Sequence, residues 1–352
     1  MTAPPRRADG RRASSVSRVA LALAAGTACA AAPVVLAPAA AAGVVAPVAG
    51  AETTPTTVLR LHDPRLVESS GLVASRLHPG VLWTHNDGDD GRLYAVDRAG
   101  QTTAVYRLRG VDARDWGAIA YHRAESGRTH LYVGDIGDNS GTRSNGILVH
   151  VLDEPAELTG GTLTAASYRL HYPDTPLDAE ALLVHPRTGR LAVVTKGILG
   201  GAVYSAPPRL TQERPNVLER AAGAPALVTD GAYVDAERYA LRDYGAVHVV
   251  RASDGEVVDS LDLPRQRQGE SLAVTADRHS LLVGSEGRRS RVWQVPLPGA
   301  PASFRARASA TPSPEDDDEL RPREPRQIPP RRVLAILILA AVGAFLAWRR
   351  RR

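Results

Sequence analysis

The 352-residue sequence contains very little cysteine, lysine or aromatic side chain: one Cys, one Lys, and 5% Phe, Trp and Tyr together. The lone Cys29 lies in an apolar N-terminal run, so the rest of the chain can form neither a disulfide nor a cysteine-ligated zinc site. The catalytic signatures GxSxG, GxxxxGK[ST] and HExxH are absent as well. These absences exclude disulfide scaffolds, zinc fingers and the enzyme classes that those motifs define.

A basic surface is missing from the middle of the chain. Residues 45–300 contain 27 basic and 31 acidic residues, a net charge of −4, whereas residues 1–44 carry +4 and residues 301–352 carry +5. Nucleic-acid binding requires basic side chains clustered on the folded surface, because phosphates supply most of the affinity. We therefore expect no nucleic-acid partner.

The N-terminal 44 residues have the pattern of a secretory leader. Five Arg precede an uncharged run from Val19 to Ala32, followed by Ala-, Val- and Pro-rich sequence. A basic region, a short apolar region and small residues around a cleavage point are typical of a signal peptide. Arg11-Arg12 leaves a twin-arginine signal open, and Cys29 leaves a lipoprotein signal open.

The C-terminal end has the pattern of a membrane anchor. Residues 298–330 are rich in Pro, Ala and charge, which predicts a disordered stalk. Residues 333–348, VLAILILAAVGAFLAW, form an uncharged run that predicts a transmembrane helix with flanking Arg at both ends. Four Arg in residues 349–352 outnumber the two before the helix, so we expect a cytoplasmic C-terminus and an extracellular body at the plasma membrane.

Residues 57–297 contain a fivefold repeat of short β-strands. Each repeat has Leu or Tyr at the second position of an apolar strand and Gly six residues later. The five segments are VLWTHNDG (81–88), HLYVGDIG (130–137), RLAVVTKG (190–197), RYALRDYG (238–245) and SLLVGSEG (280–287). Their spacing of 42–60 residues, with strands before and after each, predicts an all-β fold of propeller type. We count five blades, with a sixth left open.

The fifth repeat lacks a fourth strand, and the segment TTVLRLHD (56–63) has no repeat of its own. An open array would leave exposed sheet edges. We therefore expect residues 56–63 to close the ring by pairing with the last repeat. Trp83, Trp116 and Trp293 fall on strand positions and predict packing between blades.

The repeat resembles that of secreted bacterial β-propellers of the phytase-like and WD40-like class. The resemblance covers about 240 residues and rests on the segments NDGDDGRLYAVD (86–97), GDIGDN (134–139), DAEALLVHP (178–186) and QGESLAV (268–274). It implies calcium bound by acidic residues at one mouth of the ring, with the metal contacting phosphate. Phytase-like propellers of this kind have six blades, whereas five are counted in this sequence.

Equivalent loops of all blades converge around the axis of a propeller, which makes the residues before the five glycines a candidate site. An oxygen-rich mouth suits calcium, and we name Asp87, Asp89, Asp135 and Asp138 as candidate metal ligands. The alternative is structural, because Asn-Asp-Gly and Asp-Gly are also preferred in tight hairpin turns.

Lys196, the only lysine of the chain, is the most specific candidate for ligand binding. With Arg242 in the next repeat it could hold an anion, or it could pair with Glu180 or Asp178 and neutralise the channel. Glu180, Glu270 and Glu286 complete the ligand-binding candidates.

These observations lead to two hypotheses about function. The first is a membrane-anchored extracellular propeller that acts as a binding or scaffold module for an unknown ligand or protein partner. The alternative is a calcium-dependent, phytase-like phosphoesterase or esterase that acts at the acidic mouth. The sequence leaves open whether the protein is an enzyme.

Overall fold

The structure is a computed structural model that describes residues 55–88 and 91–298. The predicted leader (1–44), transmembrane helix (333–348) and cytoplasmic tail (349–352), and all of the stalk except residue 298, lie outside the described residues. Within the described residues no helix is long and apolar enough to cross a membrane.

The described residues form 22 β-strands. The first nine are β1 (Thr56–Arg60), β2 (Ser69–Ala74), β3 (Leu82–Asn86), β4 (Arg92–Val96), β5 (Thr102–Leu108), β6 (Trp116–Arg123), β7 (Thr129–Asp135), β8 (Ile147–Asp153) and β9 (Gly161–Leu163). The next six are β10 (Ala166–His171), β11 (Ala179–Val184), β12 (Leu191–Thr195), β13 (Gly201–Ser205), β14 (Asn216–Val217) and β15 (Glu219–Ala224). The last seven are β16 (Asp230–Tyr233), β17 (Arg238–Arg242), β18 (Ala246–Arg251), β19 (Val257–Asp262), β20 (Gly269–Val274), β21 (Ser280–Ser285) and β22 (Arg291–Pro296).

The strands form five sheets, which are the five blades of a β-propeller. Blade 1 has the order β2-β3-β4-β5-β9, blade 2 is β6-β7-β8-β10-β14, blade 3 is β11-β12-β13-β15, blade 4 is β16-β17-β18-β19, and blade 5 is β20-β21-β22-β1. Strands β2, β6, β11, β16 and β20 are innermost, and each contacts the inner strands of both neighbouring blades. The predicted all-β propeller is confirmed, with five blades.

Ring closure follows the prediction as well. Strand β1 pairs antiparallel with β22, with Thr56 opposite Gln294 and Arg60 opposite Arg291, so the N-terminal strand completes the last blade. The sequence did not indicate β9 and β14, two short strands that pair parallel to β5 and β10 at the outer edges of blades 1 and 2.

The hydrophobic core lies between adjacent blades. Trp83 and Trp116 are fully buried in one cluster shared by blades 1 and 2, and Trp293 packs against the cluster between blades 4 and 5. Alternation along each strand places successive apolar side chains on both sheet faces, so each blade packs on two neighbours. The predicted packing of the three Trp between blades is confirmed.

Candidate functional site

The inner strands all begin on one face of the ring, where the second strand of each blade ends. Four backbone hydrogen bonds join these two places: Asp87 N to Glu68 O (2.8 Å), Ile136 N to Asp115 O (3.1 Å), Lys196 N to Asp178 O (2.9 Å) and Glu286 N to Gln268 O (2.9 Å). The residues before the aligned glycines therefore lie beside the starts of the inner strands, as the repeat predicts.

This face carries a strong surplus of carboxyl groups around the axis. Their charges act on one another and on Lys196 across four of the five blades. We call this set the acidic mouth; its members are Glu68, Asp87, Asp115, Asp178, Glu180, Glu270 and Glu286. Lys196 is the cation that contacts them directly, through Glu180.

Two of the carboxylates occupy irregularities in the inner strands. Pairing of β11 with β12 shifts register between Ala179 and Ala181, which makes Glu180 the extra residue of a β-bulge. Glu270 lies in the corresponding shift between Gly269 and Leu272. Because a bulge interrupts the strict alternation of a strand, it can direct a side chain where a regular strand would not. Both carboxylates are buried at the acidic mouth.

Lys196 links the buried carboxylates to an exposed aromatic ring. Its Nζ lies 3.1 Å from Glu180 Oε1 and 5.4 Å from the centre of the Tyr244 ring. Burial alone lowers the pKa of Lys196, but the charge of Glu180 and the hydrogen bond with Tyr244 outweigh it, so the pKa is raised. Burial raises the pKa of Glu180. The structure therefore contains the lysine–glutamate pair that the sequence left as one alternative.

Two further carboxyl groups have a pKa near neutrality. Burial raises the pKa of Asp115 to about 7, and the hydrogen bond with Asp87 adds to the rise. Burial raises the pKa of Glu286 to about 7 as well, and the negative charges of Glu270 and Asp87 act in the same direction. The acidic mouth therefore holds protons at a pH where exposed carboxyl groups have none.

Arg242, named from sequence as an anion ligand, lies beneath the acidic mouth with its side chain fully buried. Its guanidinium donates to Ser271 O (2.9 Å), Gly284 O (2.9 Å), Gln266 Oε1 (2.9 Å) and Asp243 O (3.3 Å). Burial lowers its pKa to about 10, while the charges of Asp230 and Glu270 oppose that shift. In this arrangement its hydrogen bonds go to the protein, and it fixes blade 4 to blade 5.

Two of the four residues named for calcium, Asp135 and Asp138, have hydrogen-bond partners within blade 2. The Asp135 carboxylate accepts hydrogen bonds from the backbone N–H groups of Arg114 and Asp115 and pairs with the buried Arg143. Asp138 accepts from the N–H groups of Thr142 and Arg143.

Asp89 lies outside the described residues, and Asp87 hydrogen-bonds with Asp115. Within the residues that the structure describes, no group of three or more His, Cys, Asp or Glu has the geometry to hold a metal ion. Asp135 and Asp138 are already engaged by hydrogen bonds within the protein, and the assignment of calcium to the four named residues stays a prediction.

Glycines make room for the charged side chains, a role that the sequence analysis missed. A Cβ at Gly117 would lie 2.8 Å from Glu180 Oε2, and a Cβ at Gly269 would lie 2.0 Å from Arg242 Nη2. Both glycines stand at the starts of inner strands, in the segments DWGAIAYH and QGESLAVT. The available signal was that Gly117 follows Asp115 by two residues and Gly269 precedes Glu270. Their contacts, however, cross from one blade to the next, which the sequence does not show.

An apolar pair beside the mouth was also missed. Ile198 and Leu199 follow Lys196 in the turn between β12 and β13, and their exposed fractions are 81% and 100%. Tyr244, across Lys196, is 40% exposed. Large apolar side chains this exposed are informative because they stand next to the charged residue Lys196.

Comparisons with known proteins add little to this description. No protein-family model matches the chain, and no curated protein matches it in sequence. Among solved structures it is similar to glutaminyl cyclase from Myxococcus xanthus, with 12% identity and a TM-score of 0.41 over 68% of this chain and 99% of that one. A likeness this low carries no argument about function.

Proposed function

We propose that this protein is a binding module, and that the acidic mouth of its propeller binds a cationic group of a partner. The observation that carries the proposal is that the acidic mouth has seven carboxyl groups and one cation, Lys196, in direct contact with them. Crowded, half-buried carboxylates repel one another and hold protons, so a bound cation would stabilise their charged forms and release those protons.

The exposed apolar groups beside the mouth favour a peptide or protein over a bare cation. Ile198 and Leu199 follow Lys196 by two and three residues, and the exposed Tyr244 ring has its centre 5.4 Å from Lys196 Nζ. A partner that combines basic and apolar side chains would bury this surface while its charge faces the carboxylates.

We further propose that the propeller is displayed outside the cell, with residues 1–44 as a cleaved leader and residues 333–348 as a transmembrane anchor. This part of the proposal is supported by the sequence alone, since both segments lie outside the described residues. A binding module held near a membrane would meet partners that share that surface.

The test uses the full chain, kept soluble by a non-ionic amphipol, and a short peptide of alternating Lys and Leu. Calorimetric titration should show binding that weakens with salt and releases protons at pH 7. A Glu/Leu peptide should not bind, and a Lys/Ser peptide should bind more weakly. Equal binding of the Lys/Leu and Glu/Leu peptides would refute the proposal.

A paired variant locates the binding at the acidic mouth. Asp87→Asn with Glu286→Gln should weaken binding of the Lys/Leu peptide at least tenfold. The matched control is Glu213→Gln with Glu219→Gln, which removes two exposed carboxylates elsewhere on the ring. An equal loss in both variants would mean that overall charge, and not this site, binds the peptide.

The calcium-dependent phosphoesterase alternative is tested in the same preparation. Because Asp135 and Asp138 are already hydrogen-bonded, we expect calcium to leave the melting temperature unchanged and phosphate esters to remain intact. A calcium-dependent rise in melting temperature that Asp87→Asn abolishes would favour the enzyme over the binding module.

A further inference from the structure

The ends of the inner strands line a cavity of about 830 Å³ on the face opposite the acidic mouth. Small-molecule sites in proteins have volumes of roughly 300–1,000 Å³. The cavity opens to solvent, because exposed residues such as Pro79, Arg123 and Ala276 are part of its lining. It therefore has the size and the access to solvent of a ligand site. The function proposed for the acidic mouth does not use it.

The walls of the cavity are two tiers of mostly apolar residues from blades 1 to 4, completed by the end of β20. The inner tier is Leu72, Ile119, Leu182 and Gly231, the outer tier is Ala74, Tyr121, Val184 and Tyr233, and blade 5 contributes Ala273, Val274 and Thr275. The tiers arise because residues two apart on a strand face the same way. A ligand inside must present apolar surface to both tiers.

Beyond the outer tier the lining becomes basic. Four arginines line this end, and no Asp or Glu does: they are Arg76, Arg98, Arg123 and Arg278. Among the described residues none of the four forms an ion pair with a carboxylate. We call the whole space the Arg-rimmed cavity.

Arg76 is the most constrained of the four. Its Nη2 donates to Val274 O (3.3 Å) and Thr275 O (3.1 Å), and its buried Nη1 has no hydrogen-bond partner. Burial lowers the pKa of Arg76; the Tyr121 ring, over which the guanidinium lies at 5.8 Å, and the charges of Asp277 and Glu154 oppose that shift, while the charge of Arg278 adds to it.

The carboxylates whose charges act on Arg76 are Glu154 and Asp277, and each accepts hydrogen bonds from other residues, although Glu154 Oε2 has no hydrogen-bond partner. Glu154 accepts from Ser75 Oγ and Trp83 Nε1, and Asp277 accepts from Thr275 Oγ1. Neither carboxylate lines the cavity. The rim therefore concentrates positive charge that no lining residue neutralises.

We propose that the Arg-rimmed cavity binds a small soluble amphipathic anion. Its apolar chain or ring would fill the two tiers, and its carboxylate or phosphate head would contact the arginines. Arginine suits this role because its planar group donates two parallel hydrogen bonds to either head. The proposal does not depend on the function of the acidic mouth.

The first experiment titrates the full chain, in non-ionic amphipol, with octanoate, octylammonium and butyrate. We expect octanoate to bind at least tenfold more tightly than octylammonium, which has the same chain and the opposite charge. Butyrate has the same head with half the chain and should bind at least tenfold more weakly. Equal affinity for octanoate and octylammonium would overturn the anionic part of the proposal.

Variants then place the ligand. The double variant Arg123→Glu with Arg278→Glu should weaken the binding of octanoate at least tenfold and strengthen the binding of octylammonium. The control Arg209→Glu with Arg220→Glu, at exposed positions between β13 and β14 and in β15, should leave the dissociation constant for octanoate within twofold. Ala74→Phe should fill the outer tier and block octanoate. Unchanged binding in either the rim variant or a folded Ala74→Phe protein would overturn the proposal.

Discussion

The two faces of this propeller are built from the same five inner strands and differ in how they hold charge. At the acidic mouth the charged groups lie at strand starts and in bulges, where Glu180 and Glu270 are almost fully buried. At the Arg-rimmed cavity, Arg98, Arg123 and Arg278 are exposed on the ends of the strands and in turns. The comparison shows that charge at the mouth is part of the packed structure, whereas charge at the cavity is mostly carried on the surface.

The same comparison predicts that substitutions on the two faces affect different properties of the protein. Changes at the acidic mouth should alter both folding and its dependence on pH, because burial there opposes ionisation. Changes at the exposed rim arginines should alter ligand binding with little effect on folding. Four predictions follow this distinction.

The largest effect is expected from Arg242→Met, which tests whether the mouth depends on a buried cation. The variant removes four hydrogen bonds and leaves Asp230 buried without its positive neighbour. We expect a loss of about 3–5 kcal/mol in the free energy of unfolding, as for other broken buried charge networks. Denaturant titration measures it, with Arg220→Met as an exposed control that should change stability by less than about 0.5 kcal/mol.

Asp115→Asn tests whether crowded carboxyl groups destabilise the protein at high pH. The pKa of Asp115 in the folded protein, about 7, lies above the ordinary value of 3.8. The contribution of this group to the free energy of unfolding is therefore fully present below pH 4 and is lost as the pH rises through 7. The variant should be more stable than the parent by about 1–2 kcal/mol at pH 8, after allowance for partial exposure, and equal at low pH. Denaturant titrations at pH 4 and 8 measure this difference. If Asp112→Asn, an exposed control three residues earlier, gave the same gain, crowding at Asp115 would not be the cause.

Lys196→Met removes the lysine that pairs with Glu180 at the mouth. The charged form of Glu180 then loses its counter-ion, so the cost should grow with pH and reach about 1 kcal/mol at pH 9. Melting curves at pH 6 and 9 measure the difference. A cost that is the same at both values would indicate lost packing of the lysine stem instead.

Arg278→Gly gives the smallest expected effect and tests the opposite face. Arg278 has a φ of 60°, a conformation that glycine adopts without strain. We expect a gain of about 0.5 kcal/mol together with weaker octanoate binding. The melting temperature measures the change in stability, and calorimetric titration measures the binding of octanoate. A marked loss of stability would contradict the expectation that the exposed rim arginines contribute little to folding.

The sequence predicted the frame of the molecule better than its chemistry. The five glycine-ended segments correspond to β3, β7, β12, β17 and β21, the second strand of each blade. The ring closure by residues 56–63 was predicted from the missing fourth strand. Both features depend on local or periodic sequence patterns, and such patterns can be recognised in a single sequence.

The partners of the charged residues were harder to predict. Whether Arg242 faces a ligand or carbonyl oxygens depends on blade 5, which is remote in sequence. A single inserted residue in β11 and another in β20 decide where Glu180 and Glu270 lie, and a pattern of alternating residues does not show it. The Arg-rimmed cavity was missed for the same reason, since its four arginines come from three blades.

The pairing of β1 with β22 has a mechanical consequence. Thr56 lies opposite Gln294, so the chain enters β1 and leaves β22 at the same end of one antiparallel pair. A force that pulls these two points apart would break the hydrogen bonds between the strands one after another instead of all together. Tension applied through the two ends of the propeller would therefore open the ring first at blade 5, while the other four blades are still intact.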